Sequence, residues 1–212
     1  MSDELVFYTN PMSRGRIVRW MLEEVGQPYR TEILQYASSM KAPEYLAINP
    51  MGKVPAIRHG DTVVTECAAI CAYLADAFPE ADLAPPPQDR LRGPYYRWLF
   101  FAAGPVEQAF TNNAAGFTPP PERERMFGYG NFQTTLDVLE KALSGGDFIL
   151  GDKFSAADIY IGSQIAFPMQ FGMIEKRPAF VAYVERVSRR PACVRARQID
   201  EELTAQMQQP AA

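Results

Sequence analysis

Histidine and cysteine are scarce in this chain. Its 212 residues hold one histidine, His59, and three cysteines, Cys67, Cys71 and Cys193. A zinc centre or a hydrolytic triad with a histidine base is therefore poorly supplied, and no metal is expected. An odd, sparse cysteine set argues against a disulfide framework and fits a reducing cytoplasm. Cys67 and Cys71 stand four apart, outside the C-x-x-C redox spacing; they share a helical face, where packing accounts for them. Positive charge is not in excess either. The net charge is −4, the basic residues are scattered, and the densest group, Arg186 to Arg197, reads as the solvated face of a late helix. No nucleic-acid partner is expected. No apolar run reaches membrane length, and MSDELVF lacks the basic region and long apolar stretch of an export signal, so neither a membrane nor export is expected.

What the chain does have is apolar residues at 47% and a change of pattern near its middle. Its composition is that of a globular protein able to build a core. The first half alternates. Leu5 to Tyr8 reads as a short buried strand, and GRIVRWMLEEV (15 to 25) places Ile17, Trp20, Met21 and Val25 on one helical face. Gly26 and Pro28 stop that helix. A strand follows at 29 to 34, a helical turn at 42 to 48, and two strands at 54 to 58 and 62 to 64 around the turn His59-Gly60-Asp61. ECAAICAYLADAF (66 to 78) is an apolar helix closed by Pro79. Residues 79 to 94 hold five prolines, which can neither continue a helix nor sit inside a sheet, and read as a stiff linker. The second half shows only helical patterns: 90 to 114 with a bend at Gly104-Pro105, 121 to 143, 155 to 167, 178 to 189 and 192 to about 206. The fold class expected is an α/β first domain followed by an all-α domain.

Four stretches carry the candidate chemistry. In FYTNPMSRGR, Ser13 stands where a strand hands over to a helix, where free N–H groups and the helix dipole converge. Its hydroxyl either caps the helix or faces outward and donates to a bound anion; a thiolate would suit that place. In NPMGKVPAI, Val54-Pro55 opens a strand. If the bond is cis, the chain turns and exposes the main chain of Val54 to an extended ligand; otherwise it is an ordinary edge proline. Lys53 beside it meets a carboxylate or is plain surface. In TECAAI, Thr65 reads as a helix cap and Glu66 as a first-turn acid. Glu66 either favours the dipole or grips the ammonium of a zwitterion while nearby amides take its carboxylate. In FSAADIYI, Ser155-x-x-Asp158 is a capping box and reads as structural.

In this order and at these distances the pieces resemble a glutathione transferase over nearly the whole chain, of the bacterial, theta- or beta-like kind with a catalytic serine. The resemblance implies a thioredoxin-like glutathione-binding domain over 1–81, a linker over 82–89 and a helical-bundle domain over 90–212 that contributes the second-substrate site. It implies that Val54, with a cis Pro55, pairs its main chain with the cysteinyl part of glutathione. Lys53 lies beside them, Glu66 and Cys67 hold the γ-glutamyl end, and Ser13 stands next to the thiol. Tyr8 competes for that role, since other classes use a tyrosine near the end of this strand. Position 67 departs from the usual serine, and a thiol is a poorer donor. Met40 sits near where some relatives have a glycine-contacting histidine, with Lys41 as a substitute. The implied reaction is conjugation of the glutathione thiolate, as co-substrate, to a small apolar electrophile by a cytoplasmic homodimer acting in detoxification. Dehalogenation, peroxide reduction and isomerisation use the same thiolate, and a non-catalytic carrier is the remaining alternative. The aromatic residues Tyr95, Tyr96, Trp98, Phe100, Phe101, Phe110 and Phe117 divide between core and second-substrate walls.

Overall fold

A computed structural model describes residues 3–208 and divides into two compact units. The first comprises the described residues of Met1–Ala81 and Arg190–Ala212, the second Asp82–Arg189. Among the described residues, no helix is long and apolar enough to cross a membrane.

In the first unit, strands β1 (Leu5–Thr9), β2 (Arg30–Ile33), β3 (Ala56–His59) and β4 (Thr62–Thr65) form one sheet in the order β2-β1-β3-β4. β1 runs parallel to β2 and antiparallel to β3, and β3 is antiparallel to β4. Helix α1 (Gly15–Val25) supplies the crossover between the parallel pair, and helix α3 (Cys67–Ala77) packs beside it. The short helix α2 (Pro43–Leu46) lies between β2 and β3 in sequence. Alternation along β1 sorts the two faces. Val6 and Tyr8 pack with Met40, Tyr45 and Ala56, while Phe7 meets Tyr29 and the guanidinium of Arg19. This is the thioredoxin-like β-α-β, β-β-α arrangement.

The last helix, α9 (Pro191–Gln208), belongs to this first unit and packs against α1. The sequence reading carried the helical domain through residue 212. The contacts instead return the C-terminal helix to the sheet domain. Arg190 grips Glu24 through Nε at 2.6 Å and a terminal nitrogen at 2.8 Å, and Arg195 reaches Glu23 at 3.2 Å. The basic group 186–197 is thus in part a set of ion pairs rather than a uniformly solvated face.

The second unit is helical: α4 (Arg92–Phe101), α5 (Glu107–Ala114), α6 (Phe132–Leu143), α7 (Ala156–Gln170) and α8 (Pro178–Ser188). Pro105 lies in a π-helical segment, Ala102–Val106, between α4 and α5, the bend expected at Gly104-Pro105. The proline-rich stretch, expected as a stiff linker, is tied into the second unit from Asp82 onward. Leu83 is buried, its carbonyl accepts from the Ala156 N–H at 2.8 Å, and the Pro85 carbonyl accepts from Arg92 at 2.7 Å. Helix 121–143 is also shorter than the pattern implied. Residues Pro121–Met126 form a 3₁₀ segment, and α6 starts at an N-cap, Asn131, whose side chain accepts from the Thr134 N–H at 2.9 Å.

Candidate active site

The strand register brings the candidate residues to one end of the sheet. Tyr8 pairs with Ala56 and Ala56 with Thr65. The loop after β1, the segment before β3 and the start of α3 therefore emerge side by side. The N-termini of α1 and α3 converge there as well, and the Cys67 thiol lies 3.7 Å from the Arg14 carbonyl. Gly15 opens α1 directly over Thr9. A Cβ at Gly15 would collide with the Thr9 hydroxyl, so only glycine permits the helix to start this close to the strand.

Ser13 is half-buried at this junction. Its hydroxyl donates to the Asn10 carbonyl at 2.6 Å, and its oxygen accepts from the Gly15 N–H at 2.9 Å. The side chain thus satisfies one helix-terminal N–H in the manner of a cap. Tyr8 is placed differently. Its ring is packed against Tyr45 at 5.8 Å between centroids, inside the cluster on the α2 face.

The Val54-Pro55 peptide is cis. Neither main-chain group of Val54 has a hydrogen-bond partner among the described residues. The preceding carbonyl, that of Lys53, is held twice, by the Tyr45 hydroxyl at 2.6 Å and Asn49 Nδ2 at 2.8 Å. Burial pushes the Tyr45 hydroxyl up to about 12, so it stays a donor. The Lys53 side chain is exposed. Lys41 spends its ammonium on the carbonyls of Met51 and Gly52, at 3.1 and 2.8 Å, and Met40 is in the core. Neither is arranged as a free ligand group.

Thr65 ends β4 and the cap position of α3 falls on Glu66, one residue later than the sequence suggested. Glu66 adopts φ 68°, ψ 122°, a positive-φ conformation that strains a non-glycine residue by about 1–3 kcal/mol. Its carboxylate is exposed and has no ion-pair partner among the described residues. Cys67 and Cys71 are buried, and burial pushes the Cys71 thiol far up, leaving it an inert packing group.

Two residues with a part in this geometry escaped the sequence reading. Asn10 is wholly buried and ties the Ser13 loop down, and Asn49 holds the Lys53 carbonyl. The Asn-Pro pairs at 10–11 and 49–50 are turn signals, which mark both positions without revealing their partners. Of the aromatic residues in the helical unit, Tyr95, Trp98 and Phe110 are core, Phe101 is half-buried, and Tyr96, Phe100 and Phe117 are exposed.

A thioredoxin-like sheet with a cis-proline before β3 and a strained cap on α3, followed by a helical unit, defines a glutathione-transferase class of architecture. The comparisons agree. A family model described as the N-terminal domain of glutathione S-transferase matches residues 12–77, and one described as the C-terminal domain matches 108–186. The glutathione S-transferase GstA of Escherichia coli O157:H7 is 30% identical over 151 residues, 70% of this chain and 74% of that protein. Glutathione transferase URE2P6 of Phanerochaete chrysosporium, solved in complex with oxidized glutathione, superposes with a TM-score of 0.79 at 25% identity, covering 95% of this chain and 98% of that one. A sphingomonad glutathione S-transferase complexed with glutathione gives 0.76 at 27% identity, over 92% and 98% of the two chains. The chain belongs to the glutathione S-transferase family and is a glutathione transferase.

Proposed function

We propose that this transferase binds glutathione along the sheet end described above, with Ser13 as the group that stabilises its thiolate, and that the thiolate attacks a small apolar electrophile. The observation that carries the reading is the meeting of three features at one edge: the Ser13 loop, the unpaired main chain of Val54 before its cis-proline, and Glu66 with its exposed carboxylate. Val54 offers an N–H and a carbonyl to the cysteinyl peptide. Glu66 takes the ammonium of the γ-glutamyl end, with the N–H groups at the start of α3, including that of Cys67, facing its carboxylate. Lys53, with an exposed ammonium, serves a ligand carboxylate.

In the chemical step the thiol proton passes to solvent, sulfur forms a bond to the electrophilic carbon, and any leaving group departs with its electron pair. Ser13 contributes by turning its O–H from the Asn10 carbonyl to the sulfur. A hydrogen bond to a charged group contributes about 1.5–3 kcal/mol, and lowering a thiol pKa by one unit needs about 1.4 kcal/mol, so a single hydroxyl is sufficient. Met12 and Tyr36, each 52% exposed in the same unit and joined through the Tyr36 hydroxyl and Met12 carbonyl, offer apolar surface beside the serine, which supports an apolar second substrate.

Ser13→Ala is expected to keep the fold and to lower conjugation with a chromogenic electrophile by about tenfold or more, with the pKa of the bound thiol raised by about one unit. An unaltered rate and titration would remove Ser13 from the mechanism. Capture on immobilised glutathione with no turnover by the native chain would favour a carrier instead. The proposal includes a homodimer, supported by the aromatic surface that Phe100, 72% exposed, and Tyr96 leave on α4. Light scattering should report twice the chain mass; a monomer at assay concentration would refute this part alone.

A further inference from the structure

We infer that Asn10 is a positioning residue for Ser13: it fixes the serine loop while leaving the serine hydroxyl free to change partners. The inference rests on the proposed role of Ser13. Asn10 is 0% exposed, uncommon for so polar a side chain, and both ends of its amide are engaged. Nδ2 donates to the Leu34 carbonyl at 2.8 Å, tying the loop to the segment after β2. Oδ1 accepts from the Met12 N–H at 3.0 Å and closes an Asx turn over Pro11.

The main chain of Asn10 adds the second half of the argument. Its carbonyl accepts from the Ser13 hydroxyl at 2.6 Å, the Ser13 N–H at 3.0 Å and the Thr9 hydroxyl at 3.4 Å. A carbonyl oxygen has two lone pairs, so these donors outnumber them. When the Ser13 hydrogen turns to a thiolate, the other two donors keep this buried acceptor satisfied. The Ser13 oxygen meanwhile stays anchored by the Gly15 N–H at 2.9 Å. Only the hydroxyl rotor has to move. The Asn10 side chain therefore fixes the loop that carries Ser13, and its crowded carbonyl makes the loss of one bond inexpensive, without touching the reacting sulfur itself.

The test is a double-mutant cycle read by the ultraviolet absorbance of bound glutathione thiolate across pH, with thermal unfolding measured alongside. Asn10→Ala should raise the apparent thiol pKa by about half a unit or more, a fall of about threefold in thiolate at a pH below that pKa. In a Ser13→Ala background it should add nothing to the titration while still lowering the melting temperature, which separates positioning from a merely structural role. A shift of equal size in both backgrounds, or no shift from Asn10→Ala where Ser13→Ala produces one, overturns the inference. If Ser13→Ala itself leaves the titration unmoved, the reading of Ser13 fails first and the inference falls with it. Should Asn10→Ala not fold, Asn10→Ser keeps a side-chain oxygen for the Met12 N–H, gives up only the tie to Leu34, and is judged by the same cycle.

Discussion

Asp158→Ala should lower stability by about 3–6 kcal/mol, the sum expected when several buried donors lose one acceptor. The carboxylate is fully buried at the start of α7 and accepts from the Ile149 N–H at 2.7 Å, the Tyr183 hydroxyl at 2.8 Å, the Ser155 N–H at 2.9 Å and the Ser155 hydroxyl at 3.1 Å. Burial pushes the Asp158 carboxyl up from its usual range, and these donors pull it back. One side chain thus joins the loop before α7, the first turn of α7 and the middle of α8. Alanine leaves all of these donors facing apolar surroundings. Asparagine is expected to be intermediate, because its amide nitrogen replaces one acceptor with a donor that faces an N–H. In a chain of this length each kcal/mol corresponds to about 2–4 °C. The alanine variant should therefore melt at least 6 °C below the native chain; a fall under 3 °C would show that the box caps α7 and does no more.

The Ser155-x-x-Asp158 spacing was legible as a helix start because a cap is a local event, decided by residues three apart. Its bonds to Ile149 and Tyr183 were not, because nothing in the spacing says which loop and which helix come to rest on the carboxylate. The same division runs through the site. Strand β1 and helices α1 and α3 follow from apolar periodicity, and their order sets the sheet. Glu66 could be marked as a candidate, but its positive φ is imposed by the turn from β4 into α3, against the preference of the residue itself. Ser13 was readable as either a cap or a donor. It receives a cap-like bond from Gly15 and lodges its hydroxyl on Asn10, and the identity of that acceptor depends on Leu34 holding the asparagine from a distant strand end. The expected helix 121–143 begins later, because residues 121–126 turn as a 3₁₀ segment and Gly130 at φ 65° with Asn131 forms the actual start.

The return of α9 to the sheet domain leads to the second large effect: Asp200→Ala should destabilise the first unit by about 3–5 kcal/mol, the usual result of stranding one partner of a buried ion pair. Ala192, Ala196 and Asp200 are the buried positions of α9, spaced four apart, so an aspartate falls in the stripe that faces α1. It meets Arg19, whose Nε lies 3.2 Å from Asp200 Oδ1 with both side chains almost wholly enclosed. The rest of the guanidinium is held by Thr31 at 2.9 Å and the Tyr29 hydroxyl at 3.2 Å, and it lies 5.0 Å from the centre of the Phe7 ring. One terminal nitrogen of Arg19 already has no hydrogen-bond partner among the described residues, so little is left to absorb the loss of the carboxylate. Thermal unfolding should fall by roughly 6–20 °C. The companion Arg19→Met with Asp200→Ala removes both charges and should recover most of the loss, since no buried guanidinium is then left without its carboxylate. A single variant within 1 kcal/mol of the native chain, or a double variant no better than the single, would mean that α9 is held by Arg190, Arg195 and its alanines alone.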